Sequence, residues 1–138
     1  MPAAKRPPPV PRPPPPPPPP PPAADVIVDI EVDADGTLHL VLANIGPAAA
    51  HAVRVRFSRA LRDLAGQRLN DNPLFTHLGF LSPGRRVRLF VDTLAGYARR
   101  RQPLAFGVTI TWHDDAGTAH RRAIAHDLTA WTQLRTTT

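Results

Sequence analysis

Apolar and polar residues alternate along most of the chain after position 25. A period of two places successive side chains on opposite faces of a strand, so the pattern predicts half-buried β-strands rather than amphipathic helices. The cleanest alternation lies between positions 104 and 112, where every second residue is apolar. The inward row predicted there is Leu104, Phe106, Val108, Ile110 and Trp112.

Turn residues separate the alternating segments. Asp33-Ala34-Asp35-Gly36, Ser82-Pro83-Gly84 and Asp114-Asp115-Ala116-Gly117 each supply a glycine, and one of them a proline, suited to a tight turn. A connection with a short helix or an irregular edge strand is expected between 58 and 73. The predicted strands lie near residues 25–33, 38–43, 52–57, 75–81, 86–92, 104–112 and 118–128.

The alternation also assigns single side chains to a face. Val41 and Ala43 fall on the outer face of the second predicted strand, opposite its leucines. Asp92 falls on the outer face of the fifth, and Phe80 is expected to return to the core. Short strands at this spacing, with turns between them, predict an all-β fold. The sequence therefore predicts an immunoglobulin-like antiparallel β-sandwich of about seven strands in residues 25–130.

Three motifs carry a family resemblance. The segment L-V-L-A-N-I-G at 40–46, followed by A-V-R-V at 52–55, and the L-S-P-G turn at 81–84 resemble the signature of CARDB-like and related bacterial immunoglobulin-like domains. The resemblance extends over nearly all of the predicted sandwich. It implies a noncatalytic domain used in binding, adhesion or domain spacing, in which Asn44 and Gly46 shape a corner.

Composition separates the first residues from this domain, because 15 of the 19 prolines lie within the first 22 positions. Proline fixes φ and lacks an amide donor, so residues 1–24 are predicted to form a disordered polyproline II tail. This tail is either a stiff spacer or a ligand for an aromatic-lined groove. Residues 131–138 are predicted to form a C-terminal tail. The candidate ligand residues are Arg12, Pro13, Pro16, Pro19 and Pro22.

The net charge of +6, with 16 arginines and one lysine, raises nucleic-acid binding as the alternative function. Several arginines on one surface would contact phosphates. Phe57, Phe106 and Trp112 are predicted to be core residues rather than stacking platforms, and no recognition helix is predicted. The candidate contact residues for this alternative are Arg85, Arg86, Arg88, Arg99, Arg100 and Arg101.

The sequence offers little reactive chemistry. The absence of cysteine excludes disulfides and thiol catalysis. The spacings of His113, His120 and His126 match no common zinc pattern, so solvent-facing histidines are expected instead. Ser58 and Ser82 lie outside any nucleophile elbow, and there is no glycine-rich phosphate loop. We therefore expect no enzyme activity, no cofactor and no metal.

The remaining expectation is a noncatalytic protein-interaction or structural module with a protein partner. Trp131, beyond the last strand, is predicted either to cap the end of the sandwich or to anchor that partner, and Tyr97 is predicted to be exposed. No apolar stretch reaches the roughly 18 residues of a membrane span, and no secretory signal is visible. A cytoplasmic location is the default expectation, and the pattern predicts no oligomeric state.

Overall fold

A computed structural model describes residues 4–133. Residues 1–3 of the predicted proline tail and 134–138 of the predicted C-terminal tail lie outside this range. Within it, the chain forms seven strands, three short helices and a 3-10 turn at Leu69–Asp71. The strands are β1 (Val26–Val32), β2 (Thr37–Asn44), β3 (Ala50–Phe57), β4 (Leu78–Leu81), β5 (Arg86–Thr93), β6 (Ala105–His113) and β7 (Ala119–Asp127), and the helices are α1 (Pro73–Thr76), α2 (Leu94–Arg99) and α3 (Thr129–Gln133).

The strands form two sheets in which every neighbouring pair is antiparallel. One sheet has three strands in the order β1-β2-β5, and the other has four in the order β4-β3-β6-β7. The prediction of an all-β fold with seven strands in antiparallel sheets is confirmed. The described residues before β1, 4–25, form neither strand nor helix.

One apolar core lies between the two sheets. The predicted inward row of β6 is confirmed, since Phe106, Val108, Ile110 and Trp112 are at most 5% exposed. Facing them, β1 contributes Val26, Val28 and Ile30, all buried. Burying each of these side chains stabilises the fold by about 1.5 to 3 kcal/mol relative to leaving it in water. This shared core fixes the relative position of the two sheets.

Two short helices, α1 and α2, pack on the core. The connection from β3 to β4 buries Leu61 and Leu69 and ends in α1, whose first turn is capped by Asn72 through its Oδ1 and the amide of Leu74 at 3.0 Å. Thr93 caps α2 in the same way, with its Oγ1 3.0 Å from the amide of Gly96. Asparagine and threonine are favoured at this position because their side chains accept from an otherwise unpaired amide.

Val41 and Ala43 lie on the outer face of β2, as predicted, and yet are fully buried. β2 is the central strand of its sheet, and Arg86 and Arg88 of β5 reach across it to Glu31 of β1. The methylene stems of the two arginines therefore cover β2. The outer face of this sheet is shielded by ion pairs rather than by a second layer.

Three predicted assignments are wrong for reasons of local geometry. The register between β2 and β5 shifts between Leu38 and His39, and this bulge turns Asp92 inward, where it is 2% exposed. Phe80 lies at the outer face of β4, paired with His51, and is 55% exposed. Tyr97, predicted to be exposed, is 1% exposed because α2 folds onto the core. An alternating pattern carries no signal for a bulge or a docked helix.

Candidate interaction surface

Two of the predicted nucleic-acid contacts, Arg86 and Arg88, are neutralised within the three-stranded sheet. Arg86 pairs with Glu31, and Arg88 contacts both Glu31 at 2.9 Å and Asp33 at 3.1 Å. Asp33 also lies 3.7 Å from Nδ1 of His39. These side chains are half exposed, so the network contributes modestly to stability. Its main effect is to leave little free positive charge on this face.

A third predicted contact, Arg100, holds a buried carboxylate. Its Nη2 and Nε lie 2.7 and 2.9 Å from Oδ2 of Asp92, whose side chain is 3% exposed. The amide of Thr93 donates to the other oxygen of Asp92 at 2.6 Å. A side chain at Gly96 would place its Cβ 2.7 Å from this carboxylate, so glycine is required there. Removing Arg100 would leave a buried charge unpaired, which is strongly destabilising.

The other predicted arginines lie in two separate places. Arg85 precedes β5, while Arg99 and Arg101 follow it at the end of α2. The eight residues of β5 and the helix α2 separate Arg85 from Arg99 and Arg101. Arg101 adopts a positive φ of 56° and its amide donates to Ala98, so the arginine triplet also ends the helix. The structure therefore does not bring the six predicted arginines into one patch.

A different set of arginines shares one surface, the outer face of the four-stranded sheet. Arg54 and Arg56 lie on β3 and Arg121 on β7, and all three are exposed. Arg54 pairs with Thr111 of β6, and Thr111 pairs with Arg121. Arg54, Thr111 and Arg121 therefore form one row across the sheet. Strand spacing puts the ends of this row roughly 10 Å apart. We call Arg54, Arg56 and Arg121 the arginine face.

Among residues 4–133, no carboxylate forms an ion pair with any member of the arginine face. By contrast, Arg122, one residue along β7, points to the other side and pairs with Asp25. The alternation of β7 thus separates a neutralised arginine from a free one. Positive charge on the arginine face is available to an external anion.

A shallow groove runs beside these arginines. Gly107, Ala123 and Ala125 lie on neighbouring strands and have little or no side chain, which leaves a depression between Arg56 and Arg121. Ser58 lies at its end and accepts a hydrogen bond from the amide of Gly107 at 2.8 Å. The groove is open to solvent, so it suits a side chain or an extended segment laid across the sheet.

The histidines have separate partners. His51 lies 2.7 Å from Asp115, His120 lies 2.9 Å from Asp114, and His126 lies 2.7 Å from the carbonyl of Val28. The hydrogen bond from His120, followed by that from the amide of Thr118, lowers the pKa of Asp114. His120 and His126 are half buried, and within the described range no three histidines and carboxylates converge on a common point.

Trp112 is the one described residue with a buried side-chain donor that lacks a partner. Its indole Nε1 makes no hydrogen bond, and its ring stacks on His120 with centroids 5.7 Å apart. Trp131, on α3, remains 41% exposed, which leaves it accessible to a partner. The candidate tail residues Arg12, Pro13, Pro16, Pro19 and Pro22 are all exposed.

The sequence pattern singles out neither Arg54 nor Arg56 as a candidate contact. The alternation itself indicates that both side chains point outward, because they alternate with buried valines on β3. What the pattern lacked was the position of the acidic residues, since Arg86 and Glu31 are 55 residues apart in sequence and Arg122 and Asp25 are 97 apart. Only the folded register distinguishes free arginines from paired ones.

Comparison with known proteins identifies a family for the chain. A family model described as a domain of unknown function (DUF8453) matches residues 20–132, a range that contains all seven strands. No curated protein and no solved structure matches the chain. In the described part of the chain, no helix has the length and apolar character needed to cross a membrane.

Proposed function

Because the chain belongs to the DUF8453 family, whose description names no activity, we propose its function from geometry. We propose that it is a noncatalytic interaction module, an immunoglobulin-like β-sandwich that binds an acidic protein partner through its arginine face. The strand orders β1-β2-β5 and β4-β3-β6-β7 support the immunoglobulin-like assignment, since they place strands of both sheets around one core. The proposed resemblance to CARDB-like domains belongs to this same proposal.

The observation that carries the proposal is the contrast between paired and free arginines. Arg86, Arg88, Arg100 and Arg122 each contact a carboxylate, whereas Arg54, Arg56 and Arg121 share one exposed face and contact none in residues 4–133. Guanidinium groups bind carboxylates in a planar, two-pronged geometry. Each such contact at an exposed rim contributes about 0.2 to 1 kcal/mol, so several together are needed for selective binding.

The proline tail has a separate part in the proposal. Ten consecutive prolines in a polyproline II helix span roughly 30 Å, enough to hold the sandwich away from another surface. In this conformation Pro13, Pro16, Pro19 and Pro22 would share one edge, beside Arg12. The tail is proposed as a spacer, and docking of this proline edge in a groove of a partner is the alternative use.

Nucleic-acid binding is the second candidate function, and the free charge of the arginine face favours it as well. Phosphates would be contacted by the same guanidinium groups, with affinity that falls steeply as salt rises. Between Arg54 and Arg121 the sheet presents Thr111, which gives bases no stacking surface, and the exposed Phe80 lies on β4, on the opposite side of β3 from Arg121. This composition favours a carboxylate-bearing partner over a single-stranded nucleic acid.

A binding experiment with defined polyanions tests the proposal. The full chain is titrated with poly-L-glutamate and, separately, with single- and double-stranded DNA of matched charge. R54E/R56E is expected to weaken binding of poly-L-glutamate about tenfold or more, because two attractive contacts become repulsive. The matched control R85E/R99E makes the same change in net charge at two exposed arginines elsewhere and is expected to weaken it by about twofold or less.

Equal losses of poly-L-glutamate affinity in the two variants would contradict the proposed role of the arginine face. Tighter binding of DNA than of poly-L-glutamate would favour nucleic-acid binding, the second candidate function. A pull-down then searches for the natural partner with the full chain, R54E/R56E and a chain lacking residues 1–22. Capture that is lost in R54E/R56E and kept without the tail assigns recognition to the sandwich. Capture that requires the tail assigns it to the proline run.

A further inference from the structure

The two sheets have four edges, and three of them are short or covered. β4 has only four residues and contains Gly79. At the edge of β5, the carbonyl of Val91 accepts a hydrogen bond from the amide of Leu64 at 2.8 Å. Along β1, His126 lies 2.7 Å from the carbonyl of Val28, and Arg122 pairs with Asp25. Side chains of β7 thus cover the edge of β1, which discourages strand pairing there.

The fourth edge, β7, is long and open. Its nine residues pair with β6 in continuous register, without a bulge. On its other side, no backbone group in residues 4–133 is hydrogen-bonded to β7. Such an edge presents a row of unpaired donors and acceptors to any strand that fits it.

β7 carries charged residues but lacks two features that block strand addition, a proline and a bulge. It contains no proline, glycine or lysine. The inward-facing charge of Arg122, which would otherwise hinder pairing, is neutralised by Asp25. On the outer face, three of five residues are alanine, so an added strand could approach closely. These outer-face residues are Ala119, Arg121, Ala123, Ala125 and Asp127.

We propose that β7 pairs antiparallel with β7 of a second copy of this chain, around a twofold axis at Ala123, to form a continuous eight-stranded sheet. Ala123 is the central residue of β7, so this register pairs all nine residues. A closed twofold contact of this kind uses one surface twice and stops at the dimer. The proposed acidic partner contacts the face of the sheet rather than its edge, and the two proposals share one residue, Arg121, which lies on the face of the edge strand.

Charge complementarity supports pairing with β7 of a second copy in the register centred on Ala123. Around Ala123, Arg121 of one copy faces Ala125 of the second copy and lies diagonal to its Asp127. Diagonal neighbours in a sheet lie about 7 to 8 Å apart, within reach of an arginine side chain. The symmetry makes the contact twice, so two arginine–aspartate pairs flank a central pair of alanines. A second copy thus supplies the carboxylate that Arg121 lacks among the described residues.

The expected dimer is reversible. One strand pair buries less than the roughly 1,200 Å² of a standard interface, so association in the micromolar range is expected. It would place Arg54 and Arg56 of both copies on one continuous face. R54E/R56E is expected to leave association unchanged, which separates a failure of the dimer from a failure of the proposed acidic partner.

Because the chain has no cysteine, one introduced thiol tests the register directly. In full-length A123C, the two thiols meet across the axis with Cβ atoms about 4.5 to 5.5 Å apart, close enough to form a disulfide after a small adjustment. In the matched control A119C, the two thiols lie eight residues apart along the strands, roughly 27 Å. Disulfide-linked dimer in glutathione buffer is expected for A123C and not for A119C.

Sedimentation of the unmodified chain gives a second, independent readout. The mean mass is expected to rise from 15.0 kDa toward twice that value as concentration increases. A123K, which sets two like charges opposite each other, is expected to weaken dimerisation about fivefold, while A65K, at another exposed alanine, leaves it unchanged. A constant mass of 15.0 kDa, or equal crosslinking of A123C and A119C, would overturn the proposal.

Discussion

Asn44 joins three segments of the sandwich through a side chain that is fully buried. Its Oδ1 accepts from the amides of Asp25 and Gly46, both at 3.1 Å. Its Nδ2 donates to the carbonyls of Ala48 at 2.8 Å and Leu81 at 3.1 Å. Four backbone groups at the start of β1, after β2 and at the end of β4 therefore depend on one residue.

Asn44→Ala is expected to lower the free energy of unfolding by about 3 kcal/mol or more. The substitution leaves several buried backbone groups without a partner, and each costs about 1 to 3 kcal/mol. Urea unfolding followed by circular dichroism measures the change. Asn70→Ala is the matched control: it also loses hydrogen bonds, to Leu61 and Arg59, but at a partly exposed position. Equal losses in the two variants would contradict the role assigned to Asn44.

At the scale of an element, α2 is held to the core by its own burial and by one ion pair. Tyr97 is buried, and its hydroxyl donates to the carbonyl of Pro103. The ion pair between Asp92 on β5 and Arg100, which directly follows α2, links the helix to the sheet. Burial raises the pKa of Tyr97 to about 12, with Arg100 and Arg59 acting in the opposite direction. Ionising this hydroxyl therefore opposes the docking of α2.

The raised pKa of Tyr97 predicts a loss of stability at high pH. The group is neutral in both states below about pH 10, so its stabilising effect is complete there and is lost as pH rises toward about 12. Two pKa units correspond to about 2 to 3 kcal/mol. The chain has one tyrosine, so its ultraviolet absorbance reports this ionisation alone.

Tyr97→Phe is the control for this pH dependence. It keeps the buried ring and removes the ionisable hydroxyl, so its stability is expected to change less than that of the unmodified chain between pH 10 and 12. Tyrosinate absorbance that appears near pH 10 in the native chain would show that the hydroxyl is accessible, contrary to its burial in the structure.

The strands could be predicted because alternation is a local property of the sequence. The side chains that depart from the alternation depend on segments that are distant in sequence and adjacent in the fold. β6 shows this well, since each of its inward residues is apolar and buried. Asp92 and Tyr97 could not be assigned, because a bulge in β5 and the docking of α2 turn them inward. The arginine face has the same limit: Arg54 and Arg56 are visible in the pattern, but the acids that neutralise other arginines come from distant strands.

At the scale of the whole molecule, the boundary between tail and sandwich lies within a few residues. Residues 4–23 are exposed, whereas Ala24 is 9% exposed and belongs to the core cluster. Asp25 is held by three contacts: its amide to Asn44, its carbonyl to the amide of Ile45 at 2.8 Å, and its carboxylate to Arg122. Gly46 allows this approach, because a Cβ there would lie 2.3 Å from the carbonyl of Ala23.

Two deletions on either side of this boundary should behave differently. Removing residues 1–22 is expected to shift the melting temperature by less than about 2 °C, because exposed residues contribute little to the core. Removing residues 1–25 also deletes Ala24 and the contacts of Asp25, and should cost about 1 to 3 kcal/mol, or roughly 5 to 10 °C. Scanning calorimetry measures both. A large shift on the shorter deletion would mean that the proline run packs on the sandwich, and its function as a spacer would have to be abandoned.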